Sequence, residues 1–250
     1  MEPAMTLARD LDFAGRRVLV TGAANGFGAA MSEIFKQQGA TLVLADIEEG
    51  ALAERAKTLD AEAHVFDQAD EKSIARLVEE VGVVDILVNN AGILVPKSLL
   101  DISPAEIRRL VDIDFVGVAL MMRGFGRLMV ERKRGVILNI SSQTAFCGAE
   151  GRGVYAAAKA AVAQLTRAAA VEWGPAGVRV LALAPGRSIT RMTVETARPG
   201  NTTDRGLARV PAGRWGTADE IAKMAVLLCS DAASYVVGET VIADGGFVIG

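Results

Sequence analysis

Tyr155 and Lys159 stand four residues apart in Tyr-Ala-Ala-Ala-Lys, a spacing that sets a phenol and an ammonium on one face of a helix. A phenol titrating near about 10 is a poor base at neutral pH. A neighbouring cation favours its phenolate and brings proton exchange into working range. Ser142 ends the apolar run Val136-Ile-Leu-Asn-Ile-Ser-Ser142, where a hydroxyl can hold a substrate oxygen for that exchange. Taken alone, each feature has a plainer reading: a helix-surface pair, and a serine serving a turn.

A second constellation lies near the start. Arg17-Val-Leu-Val-Thr21 runs into Gly22-Ala-Ala-Asn-Gly26-Phe-Gly28 and then an amphipathic segment. Glycines between a strand and a helix permit a tight turn and a close backbone approach to a pyrophosphate. The helix N-terminus then offers free N–H groups and its positive dipole end. The spacing is Gly-x-x-x-Gly-x-Gly, so a glycine-rich turn without a ligand remains an alternative. Asp46 ends the next apolar run, Leu42-Val-Leu-Ala-Asp46, about 20 residues further on, where an acid binds ribose hydroxyls. A carboxylate there repels a 2′-phosphate, and neither Ala23–Asn25 nor Ile47–Glu49 holds an Arg or Lys. The expected cofactor is therefore NAD rather than NADP. Asp67 ends the third run and is either a contact for the adenine edge or a capping acid before Glu71.

These residues need strands and helices to carry them. Apolar runs at Arg17–Thr21, Thr41–Asp46, His64–Asp67, Asp85–Asn89, Gly135–Ser141, Val178–Ala184 and Thr240–Asp244 alternate with helical patterns near 27–38, 48–58, 71–81, 104–131, 153–173 and 218–229. Continuous rather than alternating apolarity suits strands buried on both faces of a parallel sheet. The alternation predicts an open α/β sheet. No linker, low-complexity tract or short repeat divides the chain, so residues 1–250 are expected to form one domain. Residues 187–217 lack periodicity and are read as a substrate lid.

Composition removes other chemistries. With one histidine (His64) and two cysteines (Cys147 and Cys229), the chain has neither a disulfide framework nor a zinc ligand set. It lacks the Gly-x-Ser-x-Gly elbow of a serine hydrolase. A net charge of −3 gives no general reason to bind nucleic acid. Residues 1–12 lack the apolar run of a signal peptide, and no stretch is long enough for a membrane helix. A cytoplasmic location without metal, nucleic acid or membrane partner is expected. Glycine, 26 of 250 residues, exceeds an average near about 7%, which suggests chemistry that depends on close backbone approach.

In order and spacing, these motifs resemble the short-chain dehydrogenase/reductase family from about Phe13 to Phe247. The matching stretches are Thr21–Gly28, Asn89-Asn-Ala-Gly92, Asn139-Ile-Ser-Ser142, Tyr155-Ala-Ala-Ala-Lys159, Pro185-Gly186 with Thr190, and Asp244-Gly-Gly246. The 13-residue separation of Ser142 from Tyr155 is the family's usual one and selects Ser142 over Ser141. The resemblance implies a single-domain Rossmann fold: a doubly wound, seven-stranded parallel sheet flanked by helices on both faces.

It also implies roles. Tyr155 would be the acid/base, Lys159 would bind the nicotinamide ribose and assist Tyr155, and Ser142 would orient substrate. Gly22, Asn25, Gly26, Phe27, Gly28, Asp46, Ile47, Asp67, Asn89, Ala91, Gly92, Pro185, Gly186 and Thr190 would border NAD. Ser142, Thr144, Glu150, Arg152, Tyr155 and Arg187 would face substrate.

Two positions depart from the family pattern. Asp114, in Val111-Asp-Ile-Asp-Phe-Val-Gly117, stands where relatives usually carry a catalytic Asn, and Ala182 replaces another common Asn. In relatives that residue supports a water relay to the lysine, and Asp114 either serves such a relay or pairs with Lys159.

The expected activity is NAD-dependent oxidation of a secondary alcohol of the polyol or sugar type by a small-molecule dehydrogenase assembled as a homotetramer. The alternatives are a 3-oxoacyl-thioester reductase and a non-catalytic nucleotide-binding scaffold or redox sensor. The lid arginines Arg187, Arg191, Arg198, Arg205, Arg209 and Arg214 either attract an anionic substrate or decorate a solvated surface.

Overall fold

The computed structural model describes residues 7–189 and 206–250. After a short helix α1 (Leu7–Asp10), strands β1 (Arg17–Thr21), β2 (Thr41–Asp46), β3 (Glu62–Val65), β4 (Ile86–Asn89), β5 (Gly135–Ile140) and β6 (Val178–Pro185) alternate with helices. The helices are α2 (Gly26–Gln37), α3 (Glu49–Leu59), α4 (Glu71–Val81), α5 (Pro104–Val111), α6 (Val118–Glu131) and α7 (Gly153–Trp173). Two-residue strands β7 (Ser188–Ile189) and β8 (Gly216–Thr217) pair with each other. Helix α8 (Ala218–Cys229) and strand β9 (Thr240–Ala243) complete the described chain.

The main sheet has seven strands in the order β3-β2-β1-β4-β5-β6-β9, and every pairing is parallel. Every residue of β4 and β5 is buried, which explains their unbroken apolar runs. Side chains from α2, α3 and α8, including Phe35, Leu52 and Ile221, pack one core against one face. Leu77, Phe125 and Val162 from α4, α6 and α7 pack a second core against the other. The sheet is therefore doubly wound. Its order reverses between β1 and β4, and the C-terminal ends of the strands flank a crevice there.

Two local departures from the sequence reading matter for the site. The expected helix 104–131 is not continuous: a π-helical turn, Asp112–Gly117, interrupts it between α5 and α6. Such turns recur at functional positions, and this one carries Asp114. Gly117 seats the turn, because a Cβ there would lie 2.3 Å from the Gln68 carbonyl oxygen. The third strand ends at Val65 rather than at Asp67. The Asp67 N–H donates to Ser73 Oγ (3.0 Å) and its Oδ1 accepts from the Ala69 N–H (2.9 Å), so the chain leaves the sheet and turns toward α4. Among the described residues, no helix is long and apolar enough to cross a membrane.

Candidate active site

A cleft of about 560 Å³ crosses the C-terminal ends of β1, β2, β4, β5 and β6. Its floor begins at the glycine turn. Gly22 and Gly26 have φ of +64° and +58°, values that L side chains adopt only with strain. A Cβ at Gly28 would lie 2.1 Å from the Gly22 carbonyl oxygen, so this glycine lets α2 pack against the turn instead of lining the cleft. At Gly26 a Cβ would meet nothing within 4 Å. Asn25, the N-cap of α2, makes no side-chain cap bond, which leaves the first amides of a 12-residue helix without a side-chain acceptor.

Neighbouring side chains hold this turn in place. Asn90 Nδ2 donates to the carbonyls of Thr21 (2.9 Å) and Gly22 (3.1 Å). Thr21 Oγ1 accepts from the N–H groups of Asn90 and Ala91, both at 3.0 Å. Asp46 Oδ2 accepts from the Ala24 N–H (2.9 Å) and its Oδ1 from the Glu48 N–H (3.0 Å). The carboxylate is thus anchored at the end of β2, and Asp46, Ile47, Glu48 and Asp67 line the same end of the cleft.

Ser142, Tyr155, Lys159 and Asp114 line the other end. Ser142 Oγ accepts from the Thr144 N–H (3.2 Å) and Oγ1 (3.0 Å). Its own hydroxyl proton is left to donate elsewhere. Lys159 Nζ donates to the Ile140 carbonyl at 3.2 Å, lies 3.0 Å from Asp114 Oδ1, and sits 5.7 Å from the centroid of the Tyr155 ring. Asp114 and Lys159 are both buried, and the Ile93 N–H donates to Asp114 Oδ2 at 3.3 Å. Burial pushes the Lys159 ammonium down, but the charges of Asp114 and then Tyr155 outweigh it and hold Lys159 above its ordinary range. Burial likewise pushes the Asp114 carboxyl up against the pull of Lys159. Gly92 makes room for the pair, since a Cβ there would lie 2.4 Å from Asp114 Oδ1.

The structure brings together most, but not all, of the residues singled out in the sequence. Asn25, Phe27, Ala91, Pro185, Gly186, Arg152 and Arg187 line the cleft with those above. Asn89 does not. Its Nδ2 donates to Asn139 Oδ1 (2.8 Å), whose Nδ2 donates in turn to Thr166 Oγ1 (2.9 Å), so Asn89 ties β4 to β5 and α7 below the cleft. Thr144 is buried behind Ser142, and Glu150 is exposed and outside the cleft. Thr190, Arg191, Arg198 and Arg205 lie outside the described residues.

Gln68 and Gln143 belong to none of the sequence motifs, and Asn90 enters only within the stretch Asn89–Gly92. Gln68 Nε2 joins the Ala91 carbonyl (3.1 Å) to that of Ile113 (2.8 Å). Gln143 Oε1 is buried without a donor and would lie 3.0 Å from a Cβ at Gly186. The doublet Asn89-Asn90 was visible in sequence; which of the two faces the cleft depends on where β4 ends. His64 stands apart on β3, between Glu62 (2.7 Å) and Glu80 (3.2 Å). Burial pushes the Cys229 thiol up to about 12, which leaves it inert.

A family model described as enoyl-(acyl carrier protein) reductase matches residues 22–248. Cis-4-hydroxycyclohexanecarboxylate dehydrogenase of Sinomonas cyclohexanicum is 40% identical over 244 residues, covering 94% of this chain and 97% of that protein. The chain belongs to the short-chain dehydrogenase/reductase family. Another member, galactitol 2-dehydrogenase (L-tagatose-forming) of Cereibacter sphaeroides, is 39% identical over 243 residues, covering 94% of this chain and 96% of its own. The crystal structure of a gluconate 5-dehydrogenase from Burkholderia cenocepacia J2315 in complex with NADP and tartrate superposes with a TM-score of 0.92. It is 31% identical and covers 98% of this chain and 100% of that one.

The family's cofactor is a nicotinamide dinucleotide, and the cleft fits one. Uncapped helix amides beside the open Gly26 suit a pyrophosphate. The anchored Asp46 suits ribose hydroxyls. The orphaned Gln143 Oε1 is an acceptor suited to an amide.

Proposed function

We propose that this short-chain dehydrogenase/reductase is NAD-dependent and interconverts a secondary alcohol and its ketone on a polyol or sugar-like molecule by a Ser-Tyr-Lys mechanism. The observation that carries this reading is the convergence of Ser142, Tyr155 and the Asp114–Lys159 pair in one cleft that begins at the glycine turn. When bound, the nicotinamide supplies or accepts the hydride.

The chain's own groups handle the oxygen and its proton. Ser142 accepts from Thr144 and so directs its hydroxyl proton at the substrate oxygen. Tyr155 takes the proton from the alcohol, or returns it to the ketone oxygen. Lys159, fixed by Ile140 and Asp114, places a positive charge where it stabilises negative charge developing on the phenol oxygen. Asp46 and Glu48 line the end expected to hold the adenosine ribose, and their carboxylates disfavour a 2′-phosphate. This supports NAD over NADP. The similar dehydrogenases named above act, by name, on a hydroxycyclohexanecarboxylate, galactitol and gluconate, each of which carries a secondary alcohol.

The test is hydride transfer by purified protein with each cofactor across 4-hydroxycyclohexanecarboxylate, galactitol, glucitol, gluconate and a 3-oxoacyl thioester. Activity with NAD on the alcohols is expected, with Tyr155→Phe lowering kcat by about 10²- to 10⁴-fold. Wild-type-like activity of Tyr155→Phe refutes the mechanism. Preference for NADPH and the thioester overturns both the substrate and the cofactor reading.

We further read the chain as a cytoplasmic homotetramer. The half-buried Leu165 and Trp173 and the exposed Val171 on α7 support an oligomeric contact, and two unpaired thiols suit a reducing compartment. A monomeric mass in sedimentation at micromolar concentration contradicts the tetramer.

A further inference from the structure

Charges of both signs line the cleft. The acids Asp46, Glu48 and Asp67 follow β2 and β3, Arg109 lies on α5, and Arg152 and Arg187 flank the elements that carry Tyr155 and Pro185. The carboxylate nearest the catalytic groups, Asp114, is already engaged by Lys159.

Arg152 immediately precedes α7, and Arg187 follows β6 just beyond Pro185 and Gly186. The Arg187 guanidinium lies over the Trp215 ring, 5.2 Å from its centroid, so it is braced by a cation–π contact. Gly206 leaves it space, because a Cβ there would come within 2.5 Å of Nη1. Its Nε is buried and donates to nothing among the described residues. Neither arginine forms an ion pair with a described residue. Burial, then the charges of Arg152 and Arg209, push the Arg187 guanidinium down from its ordinary range. Two like charges in one half-buried cleft, one with an idle buried donor, leave a deficit that a bound anion offsets.

We propose that Arg152 and Arg187 bind an oxyanion on the substrate, so that this enzyme selects a hydroxy acid: a carboxylate on the molecule that carries the reacting secondary alcohol. A guanidinium carries its N–H donors in a planar fork that matches a carboxylate. This selectivity rests on the alcohol–ketone interconversion proposed above, which supplies the reaction but not the requirement for charge.

Matched pairs test it: gluconate against glucitol, and 4-hydroxycyclohexanecarboxylate against its methyl ester, with glucitol 6-phosphate as a third arm. The acid of each pair is expected to have a kcat/KM about 10- to 100-fold higher than its neutral partner, mainly through KM. Arg187→Gln and Arg152→Gln should each reduce that ratio by about tenfold, and Arg187→Lys should recover part of it. Melting curves check that the variants are folded.

A neutral partner used as well as its acid overturns the proposal, as does an acid-to-neutral ratio unchanged by either substitution. Preference for the phosphate ester over gluconate overturns the carboxylate assignment. Calorimetric binding of gluconate separates this inference from the proposed function. Binding lost in Arg187→Gln, without turnover in the wild type, upholds the anion site and refutes the dehydrogenase reading. Turnover of neutral polyols with no gluconate binding does the reverse.

Discussion

Replacing Asp114 by Asn removes one charge from a buried pair and almost nothing else. The carboxylate is fully buried, and its Oδ1 lies 3.0 Å from the equally enclosed Lys159 Nζ. At that separation and an effective dielectric near 20 the attraction is about 5.5 kcal/mol. Removing one partner of a buried pair typically costs about 3–5 kcal/mol, because the other charge is left uncompensated. Asn keeps the shape and an acceptor for the Ile93 N–H, and Lys159 keeps its bond to the Ile140 carbonyl. The low end, about 3 kcal/mol, is therefore expected, or about 6–12 °C in Tm for a chain of this size.

The pH dependence has a definite sign. Asp114 helps hold Lys159 above the ordinary lysine value of 10.5. The stability this contributes is fully present below that value and is lost as pH rises through the raised one. In the Asn variant the lysine releases its proton at lower pH, so the alkaline fall in stability begins earlier. Urea denaturation of both proteins from neutral to alkaline pH reads both effects. A variant as stable as wild type at neutral pH, with the same alkaline fall, refutes the reasoning and indicates that Asp114 is held as a neutral acid.

Asp46→Asn keeps an acceptor for the Ala24 N–H but removes the charge; the NAD-over-NADP ratio of kcat/KM is expected to fall by about tenfold, measured by steady-state kinetics with each cofactor. Gly28→Ala drives a Cβ to 2.1 Å from the Gly22 carbonyl oxygen and 2.7 Å from Asn90 Nδ2. Neither α2 nor the turn can yield cheaply, so a stability loss of about 1–3 kcal/mol with weakened dinucleotide binding is expected in thermal melts and fluorescence titration. Gly26→Ala meets open space and should cost only the strain of its φ of +58°, about 1–2 kcal/mol. A reversed order of the two glycine variants contradicts this account of the turn.

The sequence alone determined the α/β architecture, because strands buried on both faces must be continuously apolar and helices on a sheet must be amphipathic. It also narrowed the chemistry: a single histidine and two cysteines leave few other proton-transfer groups, and the order of the motifs around Tyr155 and Lys159 carried the family resemblance. Those signals are local, carried by residues a few positions apart on one element.

Tertiary structure decided what depends on elements meeting. Asp114 and Lys159 are 45 positions apart in the chain, and only the π-helical turn packed beside Gly92 brings them to 3.0 Å. Asn89 and Asn90 are neighbours of the same type, yet where β4 ends sends one into the sheet and the other to the glycine turn. Among the described arginines of 187–217, Arg187 lines the cleft and Arg209 and Arg214 do not, and Arg187 is braced by Trp215, 28 positions further along the chain. Composition records how many charges a segment holds, whereas their role depends on which are buried and what stands opposite them, and that is fixed only when the chain folds.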